Sequence, residues 1–191
     1  MNIKKIISEI SFRNLFECSY DESLMLLKIR NEREIRENSF TKHEISLKEH
    51  ENWLKKNNEK KDSKNFVVLN KGRIIGNVNI YNPTNKPTLR FWSFYISKKE
   101  RRVGVGFALE YKALNYIFDK LGLKLINCFV LNQNKEVIKL HKKFGFKELI
   151  KKEKSIIPKQ FEKNTTHLFL NKENWLKVKK DFKNRFLILC N

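Results

Sequence analysis

A short cationic turn constrains this chain more than any other stretch. Two of only six glycines in 191 residues stand in residues 101–106, which read Arg-Arg-Val-Gly-Val-Gly. Residues 88–96 before the turn have the character of a strand, and residues 107–121 after it carry apolar side chains at helical spacing. Small residues at such a junction let backbone N–H groups face one anion, and the helix dipole favours negative charge there. The turn therefore predicts a phosphate-binding site.

Three kinds of phosphate-binding turn are candidates for this position. A P-loop needs a Lys-Ser/Thr pair after its last glycine, but Phe107 and Ala108 follow Gly106. A dinucleotide fingerprint needs three glycines and a later acidic residue, whereas this turn has two glycines and no repeated parallel units follow it. The third pattern, Arg/Gln-x-x-Gly-x-Gly/Ala, is matched in full. By itself it is also compatible with a plain glycine-assisted turn between a strand and a helix.

The charge balance is strongly positive. The formal net charge is +20 at pH 7, and 40% hydrophobic residues are enough for one globular domain. Only nine of the 41 basic residues are arginine, so a compositional bias toward lysine explains the charge as well as selection for a polyanion does. Because no nucleic-acid-binding motif accompanies the charge, we expect no specific nucleic-acid partner. A small substrate that carries a nucleotide would use the same field.

The remaining composition excludes several protein classes. Three cysteines, Cys18, Cys128 and Cys190, are an odd number without metal-ligand spacing, so neither a disulfide framework nor a metal site is expected. Cys128 stands in an apolar strand and is predicted to lie in the core. Glu9 arrives too early for a signal-peptide core, and no apolar run could span a bilayer. These features predict a cytoplasmic protein without a membrane partner.

The order of predicted elements indicates a mixed α/β layer. Strands are expected at 10–16, 65–69, 73–81, 88–96, 125–131, 146–150 and 165–170. Helices are expected at 22–30, from a capping box at Ser46 and Glu49 onward, at 107–121 and at 135–144. Residues 30–43 read as irregular, and Pro83 and Pro87 bracket a loop. We expect one domain over residues 1–171, followed by a charged and solvated helical tail over 172–191.

A second signature follows the turn. Residues 134–146 resemble Asn-x-x-Ala-x-x-x-Tyr followed by Gly-Phe, with Val137 in place of the usual alanine and His141 in place of the usual tyrosine. Asn134 and His141 are two helical turns apart, so both side chains can address one groove. Together with residues 101–106, this stretch resembles the GCN5-related N-acetyltransferases, and the resemblance extends over roughly residues 12–170.

The resemblance implies a fold, a cosubstrate and a site. The fold is α/β (α+β), with a mixed, mostly antiparallel sheet of about seven strands, splayed in the middle and flanked by helices. The cosubstrate is acetyl-CoA, and direct attack by an amine in a ternary complex requires no metal. His141 would be the general acid, or else a surface or packed histidine. The residues implied in acetyl-CoA binding are Tyr95, Ile96, Arg101, Arg102, Val103, Gly104, Val105, Gly106 and Asn134. Arg102 and Val103 depart from the common Gly-Lys pair, which leaves open which loop groups contact the pyrophosphate.

The N-terminal half resembles one branch of this family. Residues 29–31 and 43–54, together with 92–96, 140–146 and 170–176, are similar to the sugar-nucleotide N-acetyltransferases of pseudaminic acid synthesis. That branch acts on the 4-amino group of a UDP-linked 4-amino-4,6-dideoxy sugar, which implies a UDP-amino-sugar as the partner. Arg30 would bind the diphosphate or the sugar, or else offset the dipole at a helix end. His50 would touch the substrate or relay a proton, or else be packed, and Trp53 would stack on uracil or belong to the core.

Two other functions remain open from the sequence. A ribosomal-protein-type protein N-terminal acetyltransferase shares much of the N-terminal pattern and would acetylate peptides. A non-catalytic acetyl-CoA sensor or RNA-binding protein would use the basic surface and show salt-dependent nucleic-acid binding. An exposed strand at the sheet edge would allow a homodimer.

Overall fold

A seven-stranded sheet runs through the computed structural model, which describes residues 2–60, 62–83, 89–149 and 164–188, without the side chains of 185–188. The strands are β1 Ile10–Asn14, β2 Lys64–Asn70, β3 Arg73–Tyr81, β4 Phe91–Ile96, β5 Leu125–Leu131, β6 Lys147–Glu148 and β7 Thr165–Asn171. Their spatial order is β1-β2-β3-β4-β5-β7-β6, and only β4 and β5 are parallel. The predicted mixed, mostly antiparallel sheet is confirmed.

Seven α-helices flank this sheet within the described residues. They are α1 Ile3–Glu9, α2 Tyr20–Arg30, α3 Arg33–Glu37, α4 Leu47–Asn58, α5 Val105–Asn115, α6 Lys135–Lys143 and α7 Lys172–Ile188. A π-helical turn, Tyr116–Lys120, continues α5, and Gly122 follows with φ +66° as the predicted helix stop. Two of these helices, α1 and α3, were not predicted, because each is too short to show a helical period.

Side-chain caps fix where the longer N-terminal helices begin. Ser46 and Glu49 form the predicted capping box at α4, and Ser19 and Glu22 form a second one at α2. Hydrogen bonds from the Ser46 backbone and side chain, and from His43, lower the pKa of Glu49 to about 2. The prediction that Glu49 is a capping residue is confirmed.

The core lies on both faces of the sheet. Central strand β5 is largely buried on both sides, as its nearly all-apolar sequence predicts, and its Cys128 is 2% exposed. The predicted core position of Cys128 is therefore confirmed. A large cluster joins the sheet to α5 and α6, and a smaller one around Leu15, Leu26 and Val67 joins it to α2 and α4. Helices therefore pack on both faces of the sheet.

The C-terminal helix is part of this core. Trp175 is fully buried against Tyr111 and Phe144, and Phe182 packs on Phe107. The expectation of a solvated tail is therefore wrong for the described part of α7, because its aromatic residues cover α5. Cys190 lies outside the described residues.

Some sequence predictions end at the limits of the described residues. The strand expected at 146–150 is only Lys147–Glu148, with Ile150 outside the described residues, and the loop before Pro87 is outside them from residue 84 to 88. Among the helices that are described, none has the length and apolar character needed to cross a bilayer. Strands β1 and β6 form the two edges of the sheet. The homodimer through an edge strand stays a prediction.

Candidate functional site

The site begins where the parallel strands β4 and β5 part. Their ladder pairs only Phe91 with Asn127, and the backbone and side-chain N–H groups of Asn127 both donate to the Arg90 carbonyl, at 2.9 and 3.2 Å. Beyond Phe91, the β5-facing backbone edge of β4 has no strand partner among the described residues. A gap in the centre of the sheet is therefore built into the fold, as the predicted splay requires.

A cavity of about 1250 Å³ fills this gap and extends to both faces of the sheet. Drug-sized pockets occupy about 300–1,000 Å³, so this cavity has room for more than one small substrate. Most of the predicted site residues line it: Arg30, Trp53, Tyr95, Ile96, Arg101, Arg102, Gly106, Asn134 and His141. Four predicted residues, His50, Val103, Gly104 and Val105, are not among the lining residues.

The glycine turn forms the start of α5. Gly104 is the N-cap with φ +91°, a left-handed conformation that favours glycine, and no side chain caps the helix. The backbone N–H groups of Val103, Gly104 and Gly106 have no acceptor among the described residues. Of these three residues Gly106 lines the cavity, so the start of this eleven-residue helix places a free donor and the positive end of the helix dipole at the cavity wall. This arrangement fits a phosphate-bearing ligand.

The two arginines of the turn differ in their surroundings. Arg101 donates from Nε to the Ile96 carbonyl at 2.9 Å and forms an ion pair with Glu34 at 3.3 Å. Arg102 has only a loose ion pair with Glu100, at 3.7 Å, and its side chain is 65% exposed. Arg101 therefore fastens the turn to the end of β4, whereas Arg102 is the cation that can move to a ligand.

Helix α6 supplies the opposite wall. Asn134 is its N-cap and accepts a hydrogen bond from the Val137 backbone at 3.4 Å. Asn134, Val137 and His141 all line the cavity, as their helical spacing predicts.

His141 forms a buried pair with an acidic residue from α5. Its Nδ1 lies 2.8 Å from Oε1 of Glu110, and the two side chains are 3% and 0% exposed. The rings of Trp92, Phe94 and Phe146 surround the imidazole, with centroids 5.3, 5.9 and 4.9 Å away. Of the Glu110 carboxylate, Oε2 is buried without a hydrogen-bond partner in the described part of the chain. The imidazole is the only polar group that this carboxylate contacts there.

This environment changes the protonation of His141. Burial by itself lowers the pKa of the imidazole, but the adjacent Glu110 carboxylate, together with Cys128, outweighs it and raises the pKa from 6.5 to about 10. Burial in turn raises the pKa of Glu110, against the opposing effect of His141. The negative charge of Glu110 and the positive charge of His141 stabilise each other. The raised pKa of His141 favours its protonated form at neutral pH.

Glu110 was missed from the sequence, although a signal existed. It lies three residues after Phe107 and four before Leu114, inside the apolar stripe of α5. A carboxylate on such a stripe is either unfavourable or paired. Its partner on a different helix is not visible from local spacing.

Of the three residues predicted to bind the acceptor, Arg30 and Trp53 line the cavity and His50 does not. Arg30 donates to the Thr41 carbonyl at 3.1 Å, while its Nη1 is buried and has no partner among the described residues. Trp53 packs against the smaller core cluster and also lines the cavity, so its packing role is observed and its stacking on uracil stays a prediction. His50 is 6% exposed, lies 2.8 Å from the Ser23 hydroxyl and stacks behind Trp53. Direct contact between His50 and a substrate is therefore not supported.

Among the described side chains, no group of three or more His, Cys, Asp or Glu residues is placed to hold a metal ion.

Comparison with known proteins agrees with this geometry. The profile of the Acetyltransferase (GNAT) family matches residues 26–146. Acetyltransferase PseH of Campylobacter jejuni (serotype O:23/36, strain 81-176) is 28% identical over 137 residues, which are 72% of this chain and 84% of that protein.

Two solved structures share the fold. One is C. jejuni PseH with acetyl coenzyme A, at 22% identity and a TM-score of 0.64, covering 85% of this chain and 99% of that one. The other is the Vibrio cholerae spermidine N-acetyltransferase with CoA and spermine, at 20% identity and a TM-score of 0.73, covering 88% and 99%. Because the family profile spans well over half of the chain, this protein belongs to the GNAT family and is an acetyl-CoA-dependent N-acetyltransferase.

Proposed function

We propose that the protein transfers the acetyl group of acetyl-CoA to the 4-amino group of a UDP-linked 4-amino-4,6-dideoxy sugar. The similarity to PseH and the branch resemblance of residues 29–54 support this acceptor. The reaction takes place in the cavity at the gap between β4 and β5, by direct attack of the amine within a ternary complex.

The charge on the cavity wall is the observation that carries this choice. Among the described lining residues, six are lysine or arginine, namely Arg30, Lys56, Lys60, Arg101, Arg102 and Lys135. Only two are acidic, Glu49 and Glu136, and Glu49 is engaged in a helix cap. Such a wall attracts a diphosphate and repels a polyamine, the acceptor named for the V. cholerae neighbour. Arg30, half-buried and without an ion-pair partner in the described part, is the proposed diphosphate ligand.

Each half of the cavity has a proposed task. The free N–H groups of the glycine turn and Arg102 hold the pyrophosphate of acetyl-CoA. Backbone groups of Tyr95 and Ile96, on the open edge of β4, hold the pantetheine arm and polarise the thioester carbonyl. Trp53 contacts the nucleotide or the sugar, and His50 supports Trp53 from behind.

His141 is the proposed general acid. Acetyl-CoA supplies the thioester carbon that the amine attacks, and the carbon–sulfur bond breaks. His141 donates a proton from Nε2 to the departing sulfur while Nδ1 stays with Glu110. The raised pKa keeps the donor protonated at neutral pH. The proton lost by the amine leaves through water, which suffices because a deoxysugar amine is less basic than a lysine.

A thiol-release assay tests the acceptor. With acetyl-CoA present, we expect release of coenzyme A with the UDP-linked 4-amino-4,6-dideoxy sugar and none with spermidine or a ribosomal-protein N-terminal peptide. Release with the peptide alone would favour the N-terminal acetyltransferase and contradict the sugar acceptor. If no coenzyme A is released with any of the three acceptors although acetyl-CoA binds, the result would favour the non-catalytic acetyl-CoA sensor.

Two glycines of the turn give a prediction with an internal control. Gly104→Ala places a side chain at φ +91° and is expected to lower the free energy of unfolding by about 1–2 kcal/mol. Gly106→Ala leaves the fold intact, since the new Cβ would lie 3.5 Å from Leu140, an ordinary contact. Because Gly106 lines the cavity, its substitution should instead weaken acetyl-CoA binding. Thermal unfolding and calorimetric titration measure the two effects, and equal acetyl-CoA affinity in G106A would contradict the placement of the pyrophosphate.

A further inference from the structure

One row of polar side chains crosses the sheet beside the reactive gap. Asn65 on β2 lies opposite Asn79 on β3, and Asn79 lies opposite Ser93 on β4. Directly opposed residues in antiparallel strands project to the same face. All three line the cavity. We call Asn65, Asn79 and Ser93 the amide row.

The amide row has hydrogen-bonding capacity that the protein does not use. Asn65 is 4% exposed, and its Nδ2 is buried without a partner among the described residues. Oδ1 of Asn79 is likewise buried and unpaired in that part of the chain. Buried polar groups in folded proteins are nearly always satisfied, so a free donor and a free acceptor at a cavity wall indicate a ligand that supplies both.

The position of the row relates it to the reaction. Ser93 belongs to β4, the strand that borders the gap, and its neighbours Trp92 and Phe94 contact the His141 ring from the other face of the sheet. Two strand spacings separate Ser93 from Asn65, which is roughly 10 Å. That is about the length of a hexopyranose with one substituent. An acceptor amine at the gap would therefore leave the rest of its ring over the row.

The chemistry of the row narrows the ligand class. A free amide N–H needs an acceptor atom, and a free amide oxygen needs a donor. Hydroxyl and acetamido groups provide both, whereas the ammonium groups of a polyamine provide donors alone. We propose that Asn65, Asn79 and Ser93 form the subsite that binds the hydroxyl and acetamido groups of a nucleotide-linked amino sugar, an inference that rests on the proposed function and deepens it.

Calorimetric titration of the full chain with UDP-N-acetylglucosamine and with UDP tests the subsite without requiring turnover. The wild-type protein should bind the sugar nucleotide more tightly than UDP. Asn65→Leu and Asn79→Leu should each weaken binding of the sugar nucleotide by about tenfold, as expected for one lost hydrogen bond, and leave UDP unaffected. Ser93→Ala, at an exposed residue that tolerates substitution, should weaken it in the same direction.

Asn70 offers a matched control on the same strand. It is 2% exposed and its Oδ1 is also unpaired within the described residues, but it does not line the cavity, so Asn70→Leu should leave both affinities unchanged. Equal binding of UDP and UDP-N-acetylglucosamine by the wild type, or unchanged sugar binding in the row variants, would overturn the subsite.

The acceptor assignment and the subsite can each fail without the other, and the two experiments distinguish these outcomes. If the wild type fails to acetylate the 4-amino sugar while the row variants lose affinity for UDP-N-acetylglucosamine, the subsite stands and the acceptor assignment falls. If the sugar is acetylated and the row variants bind as the wild type does, the acceptor assignment stands and the subsite falls.

Discussion

Replacement of His141 by phenylalanine is expected to lower the turnover number by about 100-fold or more, the usual contribution of a general acid. The affinity for acetyl-CoA should change far less, because the pyrophosphate donors lie on the turn before α5. Phenylalanine fits among Trp92, Phe94 and Phe146 but cannot donate a proton. Thiol release measured under saturating substrates gives the turnover number, and calorimetry gives the dissociation constant of acetyl-CoA.

Two further variants separate chemistry from folding. Removing the imidazole leaves Glu110 buried alone, which is destabilising unless the carboxyl group binds a proton. The double variant His141→Phe with Glu110→Leu removes that charge, and it should remain as slow as the single variant. His141→Tyr places the residue that is usual in the family, and it should recover part of the turnover. Unchanged turnover in a folded H141F protein would exclude His141 as the acid.

The sequence was most informative where local rules decide the structure. The capping box at Ser46, the glycine stop at Gly122 and the apolar strand β5 each follow from the residues within a few positions. The second signature placed Asn134 and His141 in one groove, and the structure brings both to one cavity together with Gly106 of the first signature.

Local rules failed where packing between distant segments decides. The C-terminal helix reads as charged, yet Trp175 is buried because α5 and α6 present an aromatic surface to it. From the sequence, His50 is a candidate for contact with the substrate. In the fold it lies 2.8 Å from the Ser23 hydroxyl on another helix and stacks behind Trp53. Helical spacing shows which face a side chain shares, but not what covers that face.

For the same reason, the charge environment of His141 could not be predicted from the sequence. Glu110 and His141 are 31 positions apart in sequence and meet only because α5 and α6 pack on the same side of the sheet. From the sequence, His141 is a side chain that titrates near neutrality. In the fold, the adjacent buried carboxylate of Glu110 raises the pKa of His141 to about 10, which favours its protonated form at neutral pH. At the position where the family usually has tyrosine, this chain has His141, which is paired with Glu110. Substitution of either residue tests the pair.

Glu110→Gln is expected to move the pH dependence of turnover by several units. The glutamine amide keeps the size of the side chain and can still accept a hydrogen bond from Nδ1, but the negative charge is gone. In the wild type, the pKa of His141 is raised to about 10, so the acid is loaded at lower pH and activity is lost only as the pH rises through that value. In the variant the raising effect of the Glu110 charge is lost, so burial lowers the pKa of the imidazole against the remaining, opposite effect of Cys128.

At alkaline pH the glutamine variant should therefore turn over more slowly than the wild type, and its activity should be lost at a lower pH than that of the wild type. The apparent pKa of the alkaline limb is a property of the His141–Glu110 pair as a whole. Glu110→Asp keeps the negative charge, so this variant should still lose activity only at high pH. Glu136→Gln removes another cavity carboxylate, one without contact to His141, and should leave the profile unchanged. In an H141F background, E110Q should have no further effect on turnover, because the group on which Glu110 acts is absent. An alkaline limb near the wild-type position in E110Q would mean that the acid draws its proton from elsewhere, and the assignment of the pair would fall with it.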